Sequence, residues 1–172
     1  MSLIEWQSLF DDVFESYPDK WALGCVYRHD SSQNRRLQNK RVMDRTGYAR
    51  FHCPKCSNGW ASAKAKITLY YPNYDESLGT VLLRFYGQQC KKCVGRKICF
   101  ADPEFEVDWI KLTLEKLYER IGCCFYGKQP PEKSKKDYNK VINIEGPHES
   151  KLCEACQLGR CDQMPRSKKN KT

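Results

Sequence analysis

Residues 51–71 read FHCPKCSNGWASAKAKITLYY, a two-cysteine knuckle that runs directly into an alternating stretch. In Cys53-x-x-Cys56 the two intervening residues form a tight turn that aims both thiolates at one ion. Thiolate donors favour zinc over metals that prefer harder ligands. Beyond the knuckle, Ala61, Ala63, Ala65, Ile67, Leu69 and Tyr71 share one side of an extended chain. Trp60, Ser62, Lys64, Lys66, Thr68 and Tyr70 share the other, which is the period-two pattern of a strand.

Working outward, PNYDESLG (72–79) is rich in turn residues and TVLLRFYG (80–87) reads as the returning strand. A hairpin turning near residue 75 sets Trp60 opposite Cys90, so Cys90-x-x-Cys93 arrives at the same end as the first knuckle. Cys53, Cys56, Cys90 and Cys93 are therefore expected to close one four-cysteine shell of zinc-ribbon type. A third pair, Cys153-x-x-Cys156, lies far downstream in HESKLCEACQLGRC (148–161). His148 precedes it by five residues and Cys161 follows it by five, a compact pattern of three cysteines and one histidine that needs nothing from elsewhere. Cys123, Cys124 or Cys99 competes with His148 for the fourth position. Those three and Cys25 otherwise read as buried, inert thiols. Two full shells leave no open position for a catalytic water. The chain also lacks a Gly-rich phosphate loop, an H-E-x-x-H motif and a deaminase H-x-E…P-C-x-x-C motif. The expectation is two structural zinc ions and no enzyme.

The 172 residues carry eleven cysteines and a formal net charge of +9. The first residues, MSLIEWQSLFDD, are acidic and amphipathic, unlike a secretory leader. The reducing cytoplasm is the expected location, where clustered cysteines hold metal more often than they form disulfides. No apolar run approaches the ~18 residues that span a bilayer. The positive charge points to acidic partners: nucleic acid, anionic lipid or acidic protein surfaces.

Leu3, Trp6, Phe10, Val13, Phe14 and Tyr17 recur at helical steps, predicting an amphipathic helix that stops near Pro18. WALGCVY (21–27) reads as a strand, residues 31–40 within the basic stretch 28–50 read as an exposed loop, and GYARFH (47–52) as a short strand running into the first knuckle. Val107, Ile110, Leu114, Leu117 and Ile121 mark a longer helix over 104–122, with Gly122 as its stop. Residues 127–140 are linker-like, VINIEG (141–146) reads as a further strand, and 162–172 form a disordered basic tail. The expected fold class is α+β. It comprises a small zinc-stabilised antiparallel sheet of zinc-ribbon-like hairpins, an N-terminal helix and one longer helix packed on it, all within residues 1–161.

The three CxxC pairs, the GWASA strand after the first, LRFYGQQCKKC (83–93) and the final HESKLCEACQLGRC together resemble the 3CxxC zinc-finger domain of the receptor-transporting protein family. The resemblance covers residues 1–161, the Trp6 helix included. It implies an accessory factor, cytosolic with a C-terminal membrane anchor, that helps G-protein-coupled receptors fold and reach the cell surface. It also implies an interferon-inducible member that restricts viruses by binding viral RNA. The chain ends at RSKKNKT without an apolar anchor, and its cations suit a segment beside a membrane.

The residues themselves carry an RNA reading. Lys64, Lys66 and Tyr70 on one strand, beside Arg84 and Tyr86 on the next, interleave cations with aromatics that could stack unpaired bases. Arg35, Arg36, Lys40 and Arg41 extend that footprint to single-stranded RNA. A third reading is a zinc adaptor that recruits a trafficking partner through the 104–121 helix.

Overall fold

A computed structural model describes residues 3–28, 37–73, 79–95, 99–130 and 148–161. Two compact units emerge, one from 1–45, 68–84 and 106–141, the other from 46–67, 85–105 and 142–172. Five strands pair in the order β1-β4-β3-β2-β7: Ala22–Cys25, Thr80–Tyr86, Gly59–Tyr71, Arg41–His52 and Glu104–Phe105. Strands β2 and β3 are long enough to contribute to both units.

In the first unit, helix α1 (Leu3–Phe14) buries Trp6, Phe10 and Phe14, the apolar stripe of its sequence. That stripe packs on strand β1 and on the longer helix α2 (Val107–Phe125). Trp6 meets Trp109 edge-on at 6.4 Å, and Phe14 meets Tyr118 at 5.7 Å. Helix α1 ends before Pro18, yet Tyr17 is still buried, stacked between Tyr118 (4.1 Å) and Tyr126 (4.4 Å). β1 runs parallel to β4, from Ala22↔Thr80 to Cys25↔Leu83, so the sheet is mixed rather than wholly antiparallel. A parallel pair requires a long connection. Strands β2 and β3 lie within it.

Helix α2 starts three residues later than the periodicity suggests, because Glu104 and Phe105 pair as β7 with Arg50 and Ala49. It also continues through Gly122. That glycine serves packing rather than termination: a Cβ there would sit 2.9 Å from the Tyr17 hydroxyl and 2.8 Å from Lys128 Cδ. The helix stops instead at Gly127, one residue past the cap Tyr126, in the left-handed conformation (φ 61) that glycine tolerates.

In the second unit, Phe51 of β2 stacks on Trp60 of β3 at 5.5 Å. Trp60 Nε1 donates to Gln88 Oε1 (3.0 Å), two residues before Cys90. Gln88–Gln89 (β5) turns aside to pair with Phe100–Ala101 (β6).

The short strand read at 47–52 begins earlier and takes in the end of the basic stretch. From Arg41 onward it is a twelve-residue strand whose odd positions, Met43, Ala49 and Phe51, are buried while Val42, Asp44, Arg50 and His52 face solvent. Arg35, Arg36, residues 131–140, the expected strand 141–146 and the tail 162–172 lie outside the described residues.

Candidate metal centres

Both cysteine clusters lie in the second unit. The first knuckle follows β2. Cys53 N–H donates to Asn58 O (2.9 Å) and Ser57 N–H to Cys53 O (2.9 Å), a turn closed by Ser57 at φ 54. The second knuckle is a 3-10 turn, Lys91–Cys93, with Cys93 N–H bonded to Cys90 O at 3.0 Å. These turns bring Cys53, Cys56, Cys90 and Cys93 together, their ligand atoms within 4.8 Å of one another. Cys53 and Cys93 Sγ are 3.9 Å apart, and Cys56 and Cys90 Sγ 3.7 Å. A tetrahedron with metal–sulfur bonds of ~2.3 Å has edges of about 3.8 Å. A disulfide needs ~2.05 Å. The spacing therefore fits four thiolates around one ion.

His148, Cys153, Cys156 and Cys161 form the second group. Cys153 caps the short helix α3 (Glu154–Gln157), whose first turn carries Cys156 back beside it. Gly159, in the left-handed conformation (φ 67), turns the chain so that Cys161 returns to the cluster. His148 Nε2 lies 3.1 Å from Cys156 Sγ and 3.5 Å from Cys161 Sγ. Zinc bonds of ~2.0 Å to nitrogen and ~2.3 Å to sulfur put that edge near 3.5 Å. Cys99, Cys123 and Cys124 belong to neither group among the described residues.

The thiols and the imidazole are shifted by their surroundings. The Lys55 backbone N–H holds the Cys53 thiol down at about 7. Cys93, donating to Cys56, is pushed up to about 12. Burial, then the hydrogen bond with Cys161, pushes Cys156 up; burial also raises Cys153. Burial, then the charge of Lys64, lowers His148 and favours the neutral imidazole that a metal needs. Packed thiols resist ionising together, and a dication at the centre reverses that preference.

One residue here carries no signature in the sequence. Glu154, between two ligands, is only 4% exposed, and its Oε2 accepts the Gly87 N–H at 2.7 Å. Its own N–H returns to Gly87 O at 3.1 Å, and Gln88 bridges Cys153. This two-way latch fixes the third knuckle against the chain that leads to Cys90. In sequence, a glutamate inside a knuckle looks like any surface glutamate.

The expected RNA face is corrected in most of its members. Lys66 (4% exposed), Tyr70 (3%) and Tyr86 (2%) are buried. Successive residues of a strand point to opposite faces, and every residue from Ala65 to Tyr71 is buried, so this half of β3 is covered on both sides. Tyr86 packs with Cys153, Ala155, Cys156 and Cys161, forming a wall of the second cluster rather than a stacking platform. Lys64 is exposed, while Lys40 and Arg84 are half-buried. Arg41 is held in place, Nη1 donating to Cys124 Sγ (3.0 Å) and Nε to Asn73 Oδ1 (3.4 Å). No helix among the described residues is long and apolar enough to cross a membrane.

Residues 46–159 match the 3CxxC zinc-ribbon family, described as a zinc-binding domain. The two donor sets could each hold one zinc ion, in keeping with that description. Similar curated proteins include receptor-transporting protein 4 of Mus musculus, 34% identical over 126 residues (70% of this chain, 50% of the relative). The Homo sapiens protein of that name is 33% identical over 114 residues (66% and 46%). Receptor-transporting protein 3 of Mus musculus is 34% identical over 169 residues (92% and 33%). The chain thus spans a third to a half of the length of these relatives. No solved structure matches it.

Proposed function

Because the chain belongs to the 3CxxC zinc-ribbon family and its relatives are receptor-transporting proteins, we propose that it is a non-catalytic accessory protein that helps membrane receptors reach the cell surface. G-protein-coupled receptors are the class that the resemblance implies, met from the cytoplasmic side of the membrane. The observation that carries this reading is the identity to proteins of that name. Its support in the site is chemical. Each cluster supplies four protein donors, and a tetrahedral zinc so held has no vacant position for a substrate.

The test is surface display of a G-protein-coupled receptor in cells that express the chain, compared with cells that do not, at equal total receptor. Display should rise with the intact chain and fall back with Cys53→Ser or Cys153→Ser. An equal surface fraction with and without the chain removes the reading. Single-stranded RNA binding, the alternative, now rests on charge alone, since Tyr70 and Tyr86 are buried. An RNA mobility unchanged by the protein at low salt eliminates it.

A further inference from the structure

Four thiolates around one dication leave two negative charges in excess, against one for three thiolates and a neutral imidazole. The first cluster therefore needs hydrogen-bond donors at its sulfurs more than the second does. Cys56 is exposed and Cys93 half-buried, so water can serve them. Cys53 and Cys90 are each 3% exposed, and a buried acceptor has to be satisfied by the protein. Cys53 draws on its own knuckle, whose Lys55 and Cys56 backbone N–H groups donate to its sulfur.

The second knuckle spends its amides differently. In its 3-10 turn the Cys93 and Val94 N–H groups are committed to the Cys90 and Lys91 carbonyls, at 3.0 and 3.4 Å. A donor to Cys90 comes instead from across the cluster. Asn58 Nδ2 lies 3.7 Å from Cys90 Sγ, within the longer reach of a hydrogen bond to sulfur. The Asn58 backbone is fixed by the first knuckle, its carbonyl accepting the Cys53 N–H at 2.9 Å, and the residue is half-buried. An amide suits this place because it donates without carrying a charge that pH could change. Its nitrogen rather than its oxygen meets the sulfur, because a thiolate accepts and does not donate.

We propose that Asn58 is a positioning residue of the first metal centre: its side-chain amide donates to the Cys90 sulfur, which orients that ligand and strengthens zinc retention. The bond ties the second knuckle to the first through a residue that is itself no ligand. Outer partners of this kind commonly change metal affinity by about 10–100-fold. The inference concerns the metal centre alone and does not depend on the receptor-escort reading.

The experiment loads the full chain with an NMR-active isotope of cadmium, a thiolate-seeking stand-in for zinc. In the wild type, the Asn58 side-chain amide protons should show scalar coupling to the cadmium of the four-sulfur centre, transmitted through the N–H···S bond. Zinc-loaded variants are then read by native mass spectrometry during a chelator titration. Asn58→Leu, similar in shape but without a donor, should release one zinc at about 10–100-fold lower free chelator than the wild type. Asn58→Asp, which sets a carboxylate against the sulfur, should release it more readily still. Both should shift the four-sulfur cadmium resonance and leave that of the His148 centre in place. Absence of the coupling in the wild type overturns the proposal, as does wild-type zinc retention by Asn58→Leu. Where a variant fails to fold, the wild-type coupling decides, because an asparagine that merely supports the turn would not couple to the metal.

Discussion

Replacing His148 with alanine removes the one nitrogen donor from the second metal cluster. In the structure its Nε2 sits 3.1 and 3.5 Å from Cys156 and Cys161 Sγ, one corner of a tetrahedron whose other corners are sulfur. Structural zinc binds with a free energy of order 10–16 kcal/mol, which is also folding free energy. One of four donors therefore carries roughly 3–4 kcal/mol, a fall in affinity of about 10²–10³-fold. Native mass spectrometry during a chelator titration reads the effect. His148→Ala should surrender one zinc at a much lower chelator concentration and keep the other as the wild type does. His148→Cys should restore retention, since cysteine satisfies the same geometry. If His148→Ala holds both ions as tightly as the wild type, the fourth donor is another residue, and the argument from these distances fails.

Three further perturbations follow. Gly122→Ala gains about 1 kcal/mol of helix propensity but drives a Cβ against the Tyr17 hydroxyl, which donates to the Tyr118 carbonyl. Denaturant unfolding should show a net loss of about 1–2 kcal/mol, reduced in a Tyr17→Phe background; a net gain in the single variant refutes the packing role. Glu154→Ala leaves the buried Gly87 N–H without its carboxylate and should cost about 1–3 kcal/mol, partly recovered by Glu154→Gln; equal urea midpoints for the wild type and Glu154→Ala would exclude the latch. Asp12→Lys/Glu15→Lys should raise stability by roughly 0.3–1 kcal/mol per site as the dipole clash is relieved. A lower melting temperature for that variant contradicts the dipole argument, since the last turn of α1 holds no basic residue to offset Asp11 and Asp12.

What the sequence made legible was whatever it encodes locally. Each CxxC pair lies within a single turn, and His148 and Cys161 flank the third pair by five residues on either side, so the donor groups could be read off the chain. The meeting of the first two knuckles followed from one hairpin, whose strands β3 and β4 are neighbours in the sheet. What depends on covering layers was hidden. Period-two alternation marks one face of β3 as different from the other, but cannot say whether the polar face is also covered, and Lys66 and Tyr70 are. The first half of strand β2 was obscured because charged residues interrupt its stripe, although Met43, Ala49 and Phe51 keep the odd positions. Gly122 imitated a helix stop because close approach and chain termination both select glycine. Glu154 was invisible because burial of a carboxylate is decided by a partner 67 residues away.

The most direct test of the two-centre account is zinc-edge X-ray absorption on the purified chain, with metal content measured on the same sample. The clusters contain seven sulfur donors and one nitrogen. The account predicts two zinc ions per chain and an averaged shell of roughly 3.5 sulfurs at ~2.3 Å with about half a nitrogen near 2.0 Å. A single zinc per chain, or a shell dominated by oxygen or nitrogen, would contradict it.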